Sequence, residues 1–175
     1  MGRKPTIDKT RLLQAAEHII RTRGAAALSF DAIAKAAGVS KGGVQGAFVS
    51  KEALLSALYD YLDQGYEARF QQARDAGATA VDAYVDAVLH ADDAVKQRVA
   101  ALSVAMTQEP ESRAFLGQWY AQNFTGLSAA TGQGRQEILR LCALEGAMMM
   151  RSMQLLALDE AQWAAVLAEL KAPSA

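Results

Sequence analysis

The stretch SFDAIAKAAGVSKGGVQGAF, residues 29–48, restricts the fold more than any other part of the chain. Ser29 and Ser40 stand where each can cap a short helix, and apolar residues recur at helical spacing between them. Gly38 allows the backbone to turn sharply, and Val39 can fill the angle between the two helices. The spacing therefore predicts a helix-turn-helix whose second helix starts after Ser40.

The second helix of this pair is unusually rich in glycine. Gly42, Gly43 and Gly46 lie within five residues, and each costs a helix interior about 1 kcal/mol relative to alanine. In a helix-turn-helix, this second helix enters the DNA major groove with its N-terminal end toward the bases. Lys41 is then placed for a phosphate or a base edge, and Gln45 can pair with adenine. Two interpretations stay open: the glycines let the backbone approach DNA closely, or the helix reads DNA weakly or in an unusual register.

Helical periodicity continues through the rest of the chain, and no β-type alternation is sustained. We predict an all-α fold of about nine helices. The fourth is long, from about Ser50 to Ala76, and the eighth runs from about Arg135 to Leu156 after a loop at 126–134. A three-helix domain, 1–50, is then joined by the long fourth helix to a helical body, 51–175.

The charge is divided unevenly along the chain. Residues 1–51 carry nine Lys or Arg and three Asp or Glu, a net charge of +6, which leaves −7 on the rest. A basic head on an acidic body is typical of a protein whose N-terminal part binds nucleic acid.

Other function classes find little support in the sequence. His18 and His90 are far apart and lack metal-ligand spacing, and no nucleophile elbow or phosphate-binding loop is present. We therefore expect no enzyme activity, no cofactor and no metal. Cys142 is the single cysteine and is expected to be a small buried hydrophobe. The absence of an apolar stretch of about 18 residues and of a signal peptide favours a cytoplasmic protein without a membrane segment.

Three runs of residues carry a resemblance to a known family. They are RLLxAA from Arg11, IAxxAGVSKG from Ile33 and FxSKEAL from Phe48. Over about residues 6–66 the chain resembles the TetR-type transcriptional regulators. The resemblance implies a homodimeric, all-α repressor that binds double-stranded DNA at a palindromic operator. It also implies a C-terminal body that dimerises and holds a small-molecule inducer.

Within the helix-turn-helix, the resemblance assigns candidate DNA contacts by position. These are Ser29, Ser40, Lys41, Gly42, Gly43, Gln45, Gly46, Ala47 and Lys51. The chain departs from the family at Gly43, where a polar residue is common, and at 45–47, where aromatic or histidine side chains are common. The alternative is a helical ligand- or partner-binding protein whose helix-turn-helix is a scaffold with weak or no DNA affinity.

The body supplies candidates for an inducer pocket and a dimer interface. Aromatic and methionine side chains suit a tolerant apolar pocket for an apolar or aromatic inducer, although each could equally be core. The pocket candidates are Tyr84, Met106, Trp119, Tyr120, Phe124 and Met149. The eighth helix has two apolar faces and so needs two partners, of which dimerisation supplies one. The dimer candidates are Leu139, Ala143, Gly146, Met150, Trp163 and Leu167.

Overall fold

The computed structural model describes residues 8–62 and 65–171. Within these residues the chain forms α-helices and one short 3-10 turn, Ala25–Ala27, and no strand. The helices are α1 (Lys9–Arg23), α2 (Phe30–Ala37), α3 (Lys41–Ala47), α4 (Lys51–Leu62), α5 (Tyr66–Asp75), α6 (Ala80–His90), α7 (Asp93–Thr107), α8 (Pro110–Asn123), α9 (Gly132–Ser152) and α10 (Glu160–Ala168). The all-α prediction is confirmed. No helix of the described residues is long and apolar enough to cross a membrane.

Side-chain caps fix where several helices begin. Ser29 Oγ accepts a hydrogen bond from the backbone N–H of Ala32 at 3.2 Å. Ser50 Oγ accepts one from the N–H of Ala53 at 3.1 Å at the start of α4. Asp159 forms a complete capping box with Gln162 before α10. These bonds satisfy backbone donors that have no partner inside the helix, so the polar residues predicted as caps set the helix boundaries.

The predicted long fourth helix is wrong. α4 ends at Leu62 and α5 begins at Tyr66, after Gly65 in a left-handed conformation with φ +108° and ψ −7°. A residue in that region cannot continue a right-handed helix, so the periodic stripe belongs to two elements. The intervening Asp63 and Gln64 lie outside the described residues. The extra break accounts for ten helices in the described residues where about nine were predicted.

The longest helix also differs from its predicted bounds. α9 starts at Gly132, three residues early, because Thr131 Oγ1 accepts a hydrogen bond from the Gly134 N–H at 3.0 Å. It ends at Ser152, four residues short of Leu156, and Gln154 shortly afterwards has φ +54°. Side-chain capping and a left-handed residue therefore override the apolar pattern at the two ends of this helix.

The chain divides into two compact units. The first contains the described residues up to Leu62 together with Leu102–Leu116. Tyr59 on α4 joins these segments, since its ring stacks on Phe115 at 6.0 Å and its hydroxyl lies 3.0 Å from Ser103 Oγ. The fully buried side chains of this unit include Leu12, Ile33, Val44, Leu54, Leu58 and Met106. A functional boundary between 1–50 and 51–175 stays a prediction, because α4 packs within this first unit.

The second unit contains the described residues 65–101 and 117–171. Its main core joins α6, α9 and α10 through Val81, Leu144 and Leu167, all buried. The expected burial of Cys142 is wrong: its side chain is exposed. α9 turns Leu144 and Met148 toward the core, and helical geometry puts residue 142 on the opposite side.

Candidate nucleic-acid interface and ligand site

The turn between α2 and α3 is built as the sequence predicts. Gly38 adopts a left-handed conformation, φ +64° and ψ +37°, which favours glycine. The N–H of Val39 donates to the carbonyl of Ala34 at 3.0 Å and so closes the end of α2. Ser40 Oγ accepts the N–H of Gly43 at 3.1 Å and starts α3. Val44 is fully buried, so one side of α3 is fixed to the core of the first unit.

The opposite side of α3 faces solvent and carries few side chains. Lys41, Gly42, Gln45 and Gly46 are all exposed. A Cβ added at Gly42 or Gly46 would meet no atom within 4 Å, and neither residue has positive φ. The packing and backbone of the described chain therefore do not require glycine at these positions. The exposed face of α3 is a bare backbone surface with Lys41 and Gln45 as its long polar side chains.

Lys41 and Lys51, the two predicted lysine contacts, have different surroundings. Lys41 Nζ pairs with Asp31 at 2.8 Å, with both side chains more than half exposed, and such a surface pair is weak. Lys51 Nζ lies 3.2 Å from a Glu109 oxygen and 3.4 Å from a Glu111 oxygen, with its side chain 25% exposed. Lys51 must therefore leave two carboxylates before it can bind a phosphate.

Glu109, one of these carboxylates, is held firmly. Its Oε2 accepts hydrogen bonds from the Ser112 hydroxyl at 2.6 Å and from the Ser112 N–H at 2.7 Å. The Ser112 hydroxyl foremost, helped by backbone donors and by Lys51, lowers the pKa of Glu109 to about 2. Glu109 thus stays ionised at neutral pH and anchors Lys51. The sequence pointed to Pro110 as a helix start but not to this cluster.

The remaining predicted contacts lie at the start of α2 or along α3. Ser29 and Ser40 use their oxygens as caps, while Gly43 and Ala47 are half-buried. Sequence reasoning missed Val49, which is 92% exposed in the turn after α3. Its signal was an apolar residue between the buried Phe48 and the helix cap Ser50. The basic residues Arg3 and Lys4 of the N-terminal segment lie outside the described residues.

In the second unit, aromatic side chains gather in one place, which we call the aromatic cluster. Its members are Tyr66, Phe70, Tyr84, Trp119, Tyr120 and Phe124. The Tyr84 ring centroid lies 5.4 Å from that of Phe124 and 5.8 Å from that of Trp119. The Tyr84 hydroxyl donates to the carboxylate of Glu145 on α9. Burial first, and then the Glu145 charge, raises the pKa of Tyr84 well above its usual value.

This cluster brings together four of the six predicted pocket residues. Met149 is instead exposed, and its neighbour Met148 packs in the core because it lies one helical turn after Leu144. Met106 is fully buried in the first unit. The cluster combines apolar ring faces with three tyrosine hydroxyls and the neighbouring Glu145 carboxylate.

The predicted dimer residues divide between surface and core. Leu139, Ala143 and Met150 are exposed, and a Cβ added at the half-buried Gly146 would meet no atom within 4 Å. These four residues follow helical spacing, so they form one stripe along α9, which we call the α9 stripe. Trp163 and Leu167 are buried within the core of the second unit. The large apolar side chain that α10 exposes is Val166.

Comparison with protein families matches two stretches of the chain. Residues 12–58 match the model described as bacterial regulatory proteins of the tetR family. Residues 78–175, more than half of the chain, match the model described as the tetracyclin repressor-like C-terminal domain. No curated protein matches the chain in sequence. In the described part of the chain, no group of three or more His, Cys, Asp or Glu is placed to hold a metal ion.

Solved structures share the fold at low sequence identity. A transcriptional regulator from Rhodococcus sp. Rha1 superposes with a TM-score of 0.64 at 22% identity, covering 94% of each chain. The fatty acid degradation regulator FadR from Bacillus halodurans gives a TM-score of 0.65 at 14% identity, covering 97% of this chain and 94% of FadR. The multidrug binding protein EbrR, complexed with ethidium, gives 0.54 at 22% identity, covering 94% of this chain and 99% of EbrR.

The two family matches cover different functional parts of the chain. The first covers the helix-turn-helix of α2 and α3. The second covers α9 with its stripe and four members of the aromatic cluster, Tyr84, Trp119, Tyr120 and Phe124. This family consists of regulators and not of enzymes. The chain belongs to the TetR family and is a DNA-binding transcriptional regulator with a ligand-binding C-terminal domain.

Proposed function

We propose that the chain is a repressor that binds a palindromic operator as a homodimer and is released by a small ligand. The observation that carries this proposal is the bare exposed face of α3, held outward by the capped turn at Ser40 and the buried Val44. Glycines that nothing in the described chain requires are explained if another backbone, that of DNA, comes close. Residues 1–50 then form the DNA-binding domain and residues 51–175 the ligand-binding and dimerisation domain of a cytoplasmic protein.

Base recognition in this proposal rests on few side chains. Gln45 pairs with a base and Lys41 contacts phosphate or a base edge, while the α3 backbone lies against the groove. Ser29 at the start of α2, and Ser40 and Ala47 at the two ends of α3, approach the DNA backbone. Lys51 binds a phosphate after it leaves Glu109 and Glu111.

The α9 stripe supports the homodimer of this proposal. An exposed apolar stripe with a small residue at its centre allows a second helix to approach closely, and a two-fold axis lets the same stripe serve both copies. Two recognition helices must meet major grooves about 34–36 Å apart. A homodimer would therefore explain a palindromic operator. Trp163 and Leu167 of α10 pack in the core of the second unit and support the interface from there.

The aromatic cluster is the proposed ligand site. EbrR has been crystallised with ethidium and with imidazole, so one protein of this fold binds aromatic molecules. In the present chain, Tyr84, Trp119, Tyr120 and Phe124 offer ring faces and Glu145 offers an acceptor. The inducer is accordingly a small apolar or aromatic molecule with at most modest polarity. Met106 and Met149 are left out of this site, because Met106 is buried in the first unit and Met149 is exposed on α9.

The test is selection of DNA by the full-length protein from a pool of random duplexes. We expect a palindrome that is bound far more tightly than bulk DNA, with affinity that falls steeply as salt rises. Gln45→Ala should relax the preference at one position of each half-site, at a cost of about 1–3 kcal/mol. Gln133→Ala, which changes an exposed glutamine on α9, is the matched control and should select the same palindrome.

The competing function is a ligand-binding protein whose helix-turn-helix is only a scaffold. The observation that favours it is that both candidate lysine contacts already pair with carboxylates of the chain, Lys41 with Asp31 and Lys51 with two glutamates. Selection that yields no preferred sequence, with equal binding by wild type and Gln45→Ala, would support this competitor and reject the repressor proposal.

A further inference from the structure

A second cleft lies in the second unit, apart from the aromatic cluster. Its volume is about 530 Å³, within the usual range of about 300–1,000 Å³ for small-molecule sites. The cleft lies among the end of α6, the start of α7 and one side of α10. Among the described residues, none of the aromatic cluster lines it. Its apolar surface is formed by Leu89, Ala164, Leu167 and Ala168.

Arg151 is the unusual polar residue of this cleft. Its side chain is only 5% exposed, although it lies near the end of an apolar run. Nη2 pairs with Asp93 at 3.3 Å and also contacts Glu160. Nε is buried and has no hydrogen-bond partner among the described residues. A buried donor without a partner is unfavourable, so the chain itself satisfies this guanidinium incompletely.

The hydrogen bond that Arg151 Nε lacks would have a definite geometry. The N–H of Nε and one N–H of Nη2 lie on the same edge of a guanidinium, where a carboxylate can accept both side by side. The Glu160 carboxylate contacts Nη2 and makes no hydrogen bond with Nε. Glu160 is 62% exposed and sits in the first turn of α10, so its side chain is free to turn into solvent.

We propose that this cleft binds a small monocarboxylate with an apolar body. The ligand carboxylate replaces Glu160 on Arg151 and accepts hydrogen bonds from both Nε and Nη2. The apolar body lies on Leu89, Ala164 and Ala168. Glu160 neutralises the charge of Arg151 while no ligand is bound.

The charges around Arg151 favour one negative charge over two. Asp93 remains near the guanidinium and is itself held by Lys96, whose Nζ lies 3.0 Å away. Asp92 and Lys171 also line the cleft, so that its lining carries three acidic and three basic side chains while Glu160 is in place. Exchange of Glu160 for a monocarboxylate leaves the local net charge unchanged, whereas a phosphate dianion would add a charge beside two aspartates. A carboxylate is therefore the anion that this arrangement accepts.

The experiment is calorimetric titration of the full-length protein, without DNA, using octanoate and phenylacetate as probes. Octan-1-ol and 2-phenylethanol are the neutral counterparts. We expect at least one acid to bind one molecule per chain, and its alcohol to bind at least tenfold more weakly, as expected for loss of a charge-assisted bidentate pair. Glu160→Gln should tighten binding of the acid several-fold, because the internal competitor loses its charge.

Two further variants locate the binding. Arg151→Gln should abolish acid binding, and Ala168→Leu should weaken it by filling the apolar surface without touching the charges. Glu145→Gln, in the aromatic cluster, is the control and should leave acid affinity unchanged. Failure of both acids to bind would overturn the proposal, and so would acid binding that Glu145→Gln alters and Glu160→Gln does not. Because no DNA is present, neither result depends on the repressor proposal.

Discussion

At the scale of single residues, substitution of Gly46 tests whether glycine in α3 lowers helix stability but allows closer contact with DNA. An added Cβ there meets no atom within 4 Å. Gly46→Ala should therefore raise the free energy of unfolding by about 1 kcal/mol. It should also lower operator affinity, because a methyl group would stand between the helix backbone and the groove. Chemical denaturation and fluorescence anisotropy with labelled operator measure the two effects.

Gly117 on α8 provides the matched control for Gly46. It is exposed, a Cβ added there would also meet no atom within 4 Å, and its φ is not positive. Gly117→Ala should raise stability by a similar amount, about 1 kcal/mol, and leave operator affinity unchanged. If Gly46→Ala stabilises the protein and binds operator as well as wild type, close approach at this glycine is ruled out.

Glu109 makes the stability of the first unit dependent on pH. Its pKa is about 2 in the folded protein, against an ordinary value of 4.5. A lowered pKa contributes stability that is complete above 4.5 and disappears as pH falls through 2. Glu109→Gln should therefore cost roughly 1.5–3 kcal/mol at pH 7, the range for hydrogen bonds to charged groups. The loss should shrink steadily between pH 4.5 and pH 2 in urea unfolding experiments.

Glu111 supplies the comparison for this effect. It is 73% exposed and also contacts Lys51, but the described hydrogen bonds of Ser112 go to Glu109. Glu111→Gln should change stability at pH 7 by less than about 1 kcal/mol, as usual for an exposed ion pair. A penalty for Glu109→Gln that is equally large at pH 2.5 and pH 7 would contradict the ionised state of Glu109.

At the scale of elements, α9 has two apolar faces, and each needs a packing partner. One face packs through Leu144 and Met148, and the other exposes Leu139 at 65%. Leu139→Glu should convert the dimer to a monomer, because it buries a charge at a two-fold interface. Sedimentation velocity measures the mass. Ala121→Glu, on the exposed side of α8, is the control and should remain dimeric.

The exposed Cys142 gives an independent readout of the same element. It lies on the side of α9 that carries the α9 stripe. In the dimer, we expect reaction of its thiol with a bulky maleimide to be slow, and in Leu139→Glu we expect it to be fast. Equal reaction rates in both proteins, together with an unchanged mass, would show that the α9 stripe does not form the interface.

The same elements show how far the sequence could predict helix boundaries. Ser29, Ser40 and Asp159 were predicted as caps, and the structure confirms each because a cap is a local hydrogen bond between neighbours in sequence. The break between α4 and α5 at Gly65 was missed. Apolar residues continue at helical spacing on both sides of that break, so periodicity alone cannot separate two helices from one.

At the scale of the whole molecule, repression and induction require that ligand and operator binding oppose each other. If 2-naphthol, a neutral aromatic probe, binds the aromatic cluster, it should weaken operator binding by a factor of roughly 5–150. Thermodynamic linkage demands that the operator weaken 2-naphthol binding by the same factor. Calorimetry with and without saturating operator measures one factor, and anisotropy with and without 2-naphthol measures the other.

The control for this coupling is Trp119→Leu, which removes a ring from the aromatic cluster. It should weaken 2-naphthol binding and leave operator affinity without ligand unchanged. A coupling factor of one for wild type, measured with 2-naphthol bound, would contradict release by a ligand in this cluster.

The all-α class, the helix-turn-helix and the family could be predicted from the sequence, since all three depend on spacing, caps and turn residues that are local. The sequence also indicated Tyr84, Trp119, Tyr120 and Phe124, which the fold gathers into one cluster. The exposure of Cys142, the burial of Trp163 and the pairing of Lys51 with two glutamates became visible in the folded chain alone. Those outcomes depend on which side of each helix meets another helix distant in sequence, and periodicity does not specify that partner. The surroundings of Arg151 are a further outcome of this kind, because the carboxylates that pair with it come from α7 and α10.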